Sequence, residues 1–173
     1  MKRVNDMTAE EFHDFYQLLK TDPNRFRLLA EQYLQRYPDD PEGYDMRADA
    51  WEVLGHLDRA LDDMNASISR RPTPWAFQHR ALIYRAMGRY QDAIGDLDSF
   101  EAMAPEEWRG SFAPLFRADC HASLGNETAA LADCERLSHD HWTPGMHGTP
   151  AGNRQSVIQE IKRRARVARL RPR

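Results

Sequence analysis

The sequence predicts an all-α fold, a solenoid of about nine helices, and three observations carry that prediction. First, one short phrase recurs three times: "GHLDRALDDM" at 55–64, "GRYQDAIGDL" at 88–97 and "GNETAALADC" at 125–134. Second, other positions fall into line once the three glycines are superposed. Ala stands after each glycine (Ala60, Ala93, Ala130) and before it (Ala48, Ala81, Ala118), each time at a fixed offset. Arg precedes (Arg47, Arg80, Arg117) and Asp follows (Asp63, Asp96, Asp133) with the same regularity. Third, apolar side chains between these markers recur at helical spacing, as in Phe77, Ala81 and Tyr84, then Ala93, Ile94, Leu97 and Phe100.

Each copy reads as two helices joined by a tight turn. The glycine lies between them, where a helix C-terminus needs a residue that can adopt positive φ. The repeated alanines let the paired helices approach closely. Pro72 and Pro105 close the first two copies, because proline cannot supply the amide that a helix interior requires. The repeats span 41–73, 74–106 and 111–142. A short insertion of about four residues, within "EEWRGSFAP", precedes the third, which ends on Trp142 in place of a proline.

One such hairpin cannot fold alone. Ordering its residues costs about 50 kcal/mol at ~1.5 kcal/mol each, more than two amphipathic helices recover by burial. Stacking closes the gap, and a stack needs capped ends. Residues 8–38 supply a helical pair for one end. There "TAEEFHDFYQLLK" opens on Thr8 with Glu11 three residues later, a capping box. The partner helix, "NRFRLLAEQYLQRYP", carries Phe26, Leu29, Tyr33 and Tyr37 along one side. After the Gly- and Pro-rich loop "TPGMHGTPAGN", a last helix at 154–170 shows an apolar stripe of Val157, Ile158, Ile161, Ala165 and Ala168. The chain is thus expected to be a single helical-repeat domain, 1–173.

Composition bounds the function. At 41% hydrophobic and 29% charged, the balance is that of a soluble globular chain. No apolar run approaches the ~20 residues of a membrane span. The N-terminus starts basic but has no apolar stretch behind it, unlike a secretory signal, so a cytoplasmic location is expected. Cys120 and Cys134 fall at apolar helix positions and read as buried thiols rather than a disulfide framework. Charge is uneven: from Arg154 to Arg173 eight basic side chains stand against Glu160 alone. Taken from the whole chain's 24 and 27, that leaves 16 basic and 26 acidic residues in 1–153, a balance of −10.

With these residues in view, the chain resembles the tetratricopeptide repeat (TPR) family, whose pattern is W-x2-L-G-x2-Y, then A-x3-F, then P, at a period near 34. The matching residues are Tyr44, Arg47, Ala48, Trp51, Ala60, Met64 and Pro72; then Phe77, Arg80, Ala81, Tyr84, Ala93, Leu97 and Pro105; then Pro114, Arg117, Ala118, His121, Ala130 and Cys134. Arg replaces the family's Leu in every copy. The resemblance implies a non-enzymatic interaction module, an adaptor or chaperone holding a partner segment in a concave groove lined by first helices. By that likeness the groove residues are Asp45, Asp49 and Glu52, then Gln78, His79, Leu82 and Arg85, then Phe112, Leu115, Phe116 and Asp119. Relatives that bind acidic chaperone tails use a clamp of Lys, Asn and Arg. The matching positions here hold Asp45, Asp49, His79, Phe112 and Phe116, so a basic or amphipathic protein or peptide fits better, with Phe112 and Phe116 as anchors. The same side chains could equally meet only solvent or a neighbouring helix. The overall layout is also similar to that of small secretion chaperones, and an inhibitor covering an enzyme belongs to the same class.

No catalytic motif is present: there is no G-x-S-x-G, no phosphate loop and no dinucleotide fingerprint, so neither enzymatic activity nor a cofactor is expected. His139, Asp140, His141 and His147 lie in one loop but lack the spacing of a zinc site, and no metal is expected. The repeated Arg and Asp read as structural pairs within each hairpin. The basic run Lys162, Arg163, Arg164, Arg166, Arg169, Arg171 and Arg173 reads first as the wet face of the capping helix. The other readings are that it complements the acidic body of the chain itself, or that it binds a nucleic-acid or other polyanion partner. No aromatic residue interleaves the run, which disfavours single-stranded nucleic acid, and no membrane partner is expected.

Overall fold

The computed structural model describes residues 2–170. The chain divides into two compact units, Met1–Ile83 and Tyr84–Arg173. The fold is all-α: ten α-helices among the described residues, with two short 3-10 turns and a pair of two-residue strands beside them. Ten rather than about nine helices arise because the insertion before the third repeat forms a helix of its own. Arg171 and Arg173 lie outside the described residues.

The first unit holds α1 (Ala9–Thr21), α2 (Pro23–Arg36), α3 (Pro41–Val53), α4 (Leu57–Arg70) and the opening turns of α5 (Pro74–Ala86). Each start is written locally. Thr8 and Glu11 make the reciprocal capping box of α1. Asp22 and Asp40 cap α2 and α3, each followed by a proline at the first helical position, where its missing N–H has no partner to lose. Phe26, Ala30 and Tyr33 of α2 are buried against Met46 and Ala50 of α3, with Val4 and the half-buried Phe15, Tyr16, Leu18 and Leu19 of α1 completing the core. At Gly43 a β-carbon would sit 2.7 Å from Leu34 Cδ2, so the absence of a side chain sets the approach of α2 to α3.

The second unit contains the end of α5, then α6 (Tyr90–Met103), α7 (Pro105–Gly110), α8 (Ala113–Ser123), α9 (Glu127–Glu135), β1 (Trp142–Thr143), β2 (Gly152–Asn153) and α10 (Arg154–Arg169). Pro105 ends α6 and opens α7, the added helix. Its Trp108 is fully buried, edge-on to Phe100 with centroids 5.6 Å apart. The main core joins Leu115, Ala118 and Ala122 of α8, Ala130 and Cys134 of α9, and Val157, Ile161 and Ala165 of α10. The apolar stripe of the last helix is therefore core, and Asn153 caps that helix.

The three glycine turns share one geometry. Gly55, Gly88 and Gly125 have φ of 78°, 74° and 78°. In each, the glycine N–H and the next residue's N–H bond back to the ending helix. The second of these bonds runs from His56 to Trp51, Arg89 to Tyr84 and Asn126 to His121, each at 2.8 Å. This is the Schellman arrangement, and it needs the left-handed glycine. All six repeated alanines are fully buried. The expected Arg–Asp ties of the first and third repeats are bidentate: Arg47 on Asp63 at 2.8 and 2.6 Å, and Arg117 on Asp133 at 3.0 and 2.6 Å. Arg80 donates to Asn65 at 2.7 Å.

Candidate functional site

The residues expected to line a groove fall into two groups with different surroundings. In the first unit, Asp45, Asp49 and Glu52 follow one side of α3 at helical spacing, and His79 comes from α5. His79 Nε2 lies 3.0 Å from Glu52 Oε2 and 3.5 Å from Asp49 Oδ1. The Tyr16 hydroxyl, from α1, lies beside Asp49 and favours its carboxylate. Asp45 lies near Ser67, while its buried Oδ1 and the buried Oε1 of Gln78 have no hydrogen-bond partner among the described residues. Leu82 is half-buried.

Electrostatically this face is in deficit. Burial, with Asp45 and Glu52 adding repulsion against the attraction of His79, pushes the Asp49 carboxyl up to about 6. Burial also raises Asp45. For His79, burial pulls the imidazole down, but the Glu52 hydrogen bond and the carboxylates around it outweigh that and raise it. Tyr16 is held well above its usual value by burial and then by Asp49, Glu42 and Asp45. The imidazole of His79 thus stands against Asp49 and Glu52, while burial resists the charge of Asp45 and Asp49, an arrangement suited to a further cation.

The second unit treats its five expected residues differently. Arg85, Phe116 and Asp119 are buried, and Phe112 is half-buried. Asp119 accepts from Arg85 Nη2 at 2.6 Å and from Arg164 Nη1 at 2.8 Å. The Arg85 guanidinium also stands over the Phe116 ring at 5.3 Å. Phe112 meets His141 edge-on at 5.6 Å, and Phe116 meets His147 at 5.9 Å. Leu115 belongs to the core shared with α10, not to a groove. The expectation that Leu115, Phe116 and Asp119 line open surface is therefore corrected. The α9–α10 loop and α10 cover them: Arg164 reaches Asp119, His147 meets the Phe116 ring, and Leu115 packs with Val157, Ile161 and Ala165.

The histidine loop holds no metal geometry. Among the described residues no group of three His, Cys, Asp or Glu is placed to hold an ion. His141 and His147 turn to different rings of α8, and His139 is exposed. Cys120 and Cys134 are free and fully buried, and burial drives both thiols up to about 12, which leaves them unreactive. In the basic helix, Arg163 and Arg164 bond Glu160, and Arg166 lies 3.5 Å from Glu127.

Two participants had little sequence signal. Tyr16 belongs to a helix outside the repeat pattern. Arg164 stood in a run of arginines, and only its place beside Ile161 and Ala165 hinted that it faces inward. No helix among the described residues is long and apolar enough to cross a membrane. No protein-family model matches this chain, and no curated protein matches it.

Proposed function

We propose that the protein is a non-enzymatic interaction module of the TPR type, an adaptor or chaperone that holds a basic or amphipathic partner segment against the α3 face of its first unit. One observation carries this reading: Asp49 and Glu52 meet at the imidazole of His79, burial resists the charge of Asp49, and the buried Oδ1 of Asp45 on the same side of α3 has no hydrogen-bond partner among the described residues. A lysine or arginine from a partner would supply the missing donors and the missing charge, and charge-assisted bonds of that kind are the stronger ones. The thrice-repeated turn and the six buried alanines support the TPR likeness. The polyanion alternative is the weaker reading, since three arginines of the basic helix already face carboxylates of their own unit.

Peptide display on the immobilised chain tests the proposal. Enrichment of peptides bearing Lys or Arg, abolished by Asp49→Lys, is the expected outcome. Enrichment of acidic peptides, or selection indifferent to Asp49→Lys, would count against it.

A further inference from the structure

We propose that residues 144–148, the tip of the loop between α9 and α10, form a strap that lifts off α8 and that, when closed, stands in for a partner segment. The strap extends the interaction-module reading and rests on it. The loop is not needed to join its two helices. Arg154, the first residue of α10, donates through Nε to the Leu137 carbonyl at 3.2 Å and through its main-chain N–H to the His141 carbonyl at 3.0 Å. Antiparallel pairs of Trp142 with Asn153 and Thr143 with Gly152 close the neck. The chain leaves and returns at one place, which makes the segment an Ω-loop, a class that often carries function.

The tip is built to move separately from its base. Thr143 and Thr149 are buried, whereas Pro144, His147 and Gly148 between them are exposed. Gly145 and Gly148, at φ of 81° and 76°, sit where a hinge needs glycine. His147 itself is held at φ 51°, a left-handed conformation that a side chain other than glycine rarely keeps. Polar contacts pin it there: the His147 carbonyl accepts from Arg85 Nη2 at 3.4 Å and the Gly148 carbonyl from Arg164 Nη1 at 3.0 Å.

What lies beneath is already assembled. Both guanidiniums are anchored on Asp119, so lifting the tip releases two N–H donors without dismantling the pair. It also uncovers Phe116, which is only 3% exposed. Arg85 Nε is buried with no hydrogen-bond partner among the described residues, a further donor in the same side chain. The fitting partner is a polypeptide turn that presents adjacent main-chain carbonyls to the arginines and a ring edge to Phe116, as the strap does.

A synthetic peptide of residues 143–150, titrated by calorimetry into the full chain and into a chain with 144–148 replaced by two glycines, tests this. Tighter binding to the shortened chain by about tenfold or more is expected, the penalty a mostly closed site imposes, and Phe116→Ala in that chain should remove it. Equal affinity for both chains, or none for either, overturns the strap. If the shortened chain does not fold, Phe116→Cys in the full chain decides by native-state thiol labelling, with Cys120 and Cys134 as internal references. Labelling faster than both, after correction for each thiol's rate in urea, supports opening; labelling no faster than Cys120 refutes it. Failure here while Asp49→Lys still abolishes peptide selection removes the strap and leaves the proposed function standing.

Discussion

Asp49 and Asp119 hold the same place in their repeats, each directly after the invariant alanine of the first helix. Their fates differ. Asp119 is buried with both oxygens taken by arginines, Arg85 and Arg164. Asp49 has a tyrosine hydroxyl and a shared histidine, and its carboxyl rises to about 6. The repeat sets where a carboxylate points, and the neighbouring elements decide whether it is neutralised. In the second unit the chain's own C-terminal segment supplies the cation. In the first, no arginine among the described residues bonds Asp49, and that difference is the basis for assigning the partner site.

The comparison breaks most severely at Asp119. Asp119→Ala should strip Arg85 of its carboxylate inside the second unit and cost about 3–5 kcal/mol, the usual penalty for orphaning one half of a buried pair. Chemical denaturation followed by Trp fluorescence measures it, and a loss below about 1 kcal/mol would mean that water already compensates the guanidinium. Next come the glycine turns. Gly55→Ala should cost about 1 kcal/mol for its left-handed backbone alone. Gly125→Ala should cost more, about 2–3 kcal/mol, because its β-carbon would meet Arg169 Cγ at 2.8 Å, whereas nothing lies within 4 Å of the one at Gly55. Equal thermal shifts for the two would deny that α10 packs on that turn.

A smaller effect of opposite sign is expected at Asp49. Asp49→Asn should stabilise the first unit at pH 8 by about 1–2 kcal/mol, since it removes a carboxylate whose ionisation the fold resists. Destabilisation would show that Asp49 is already satisfied.

How much of this was legible in the sequence follows from the same physics. Local rules are strong where a residue answers to its own turn. Thr8 and Glu11 announced their capping box, Pro105 its helix break and Gly55, Gly88 and Gly125 their left-handed turns. The apolar stripe of 154–170 was readable because Val157, Ile161 and Ala165 recur along one side. The third groove face was not, because nothing in the text of "PLFRADC" says that a distant arginine and a loop carbonyl will meet it. Leu115 looked like a groove residue by register, yet α10 packs over that register and turns it into core. Trp108 marked the insertion, and only the burial of its ring against Phe100 explains why those residues form a helix.

The smallest effect is the response to pH, which should run in opposite directions in the two units. Asp49 and His79 are both raised, so each favours its protonated form in the fold. Their stabilisation is present at low pH and is lost as pH climbs, through about 4 to 6 for Asp49 and above 6.5 for His79. In the second unit, burial lowers His121 and His141, so stability there is present above 6.5 and is lost as pH falls below it. Hydrogen exchange at pH 5 and pH 8, corrected for intrinsic rates, should show the first unit better protected at pH 5 and the second at pH 8. A common direction in both would remove the contrast.

The most direct test of the central claim is amide NMR of the chain during titration with a display-selected peptide that carries one arginine. Shifts centred on Asp45, Asp49, Glu52, Gln78 and His79, lost when that arginine becomes glutamate, are the predicted result. Shifts confined to the second unit, or a response to the glutamate peptide at the basic helix, would contradict it.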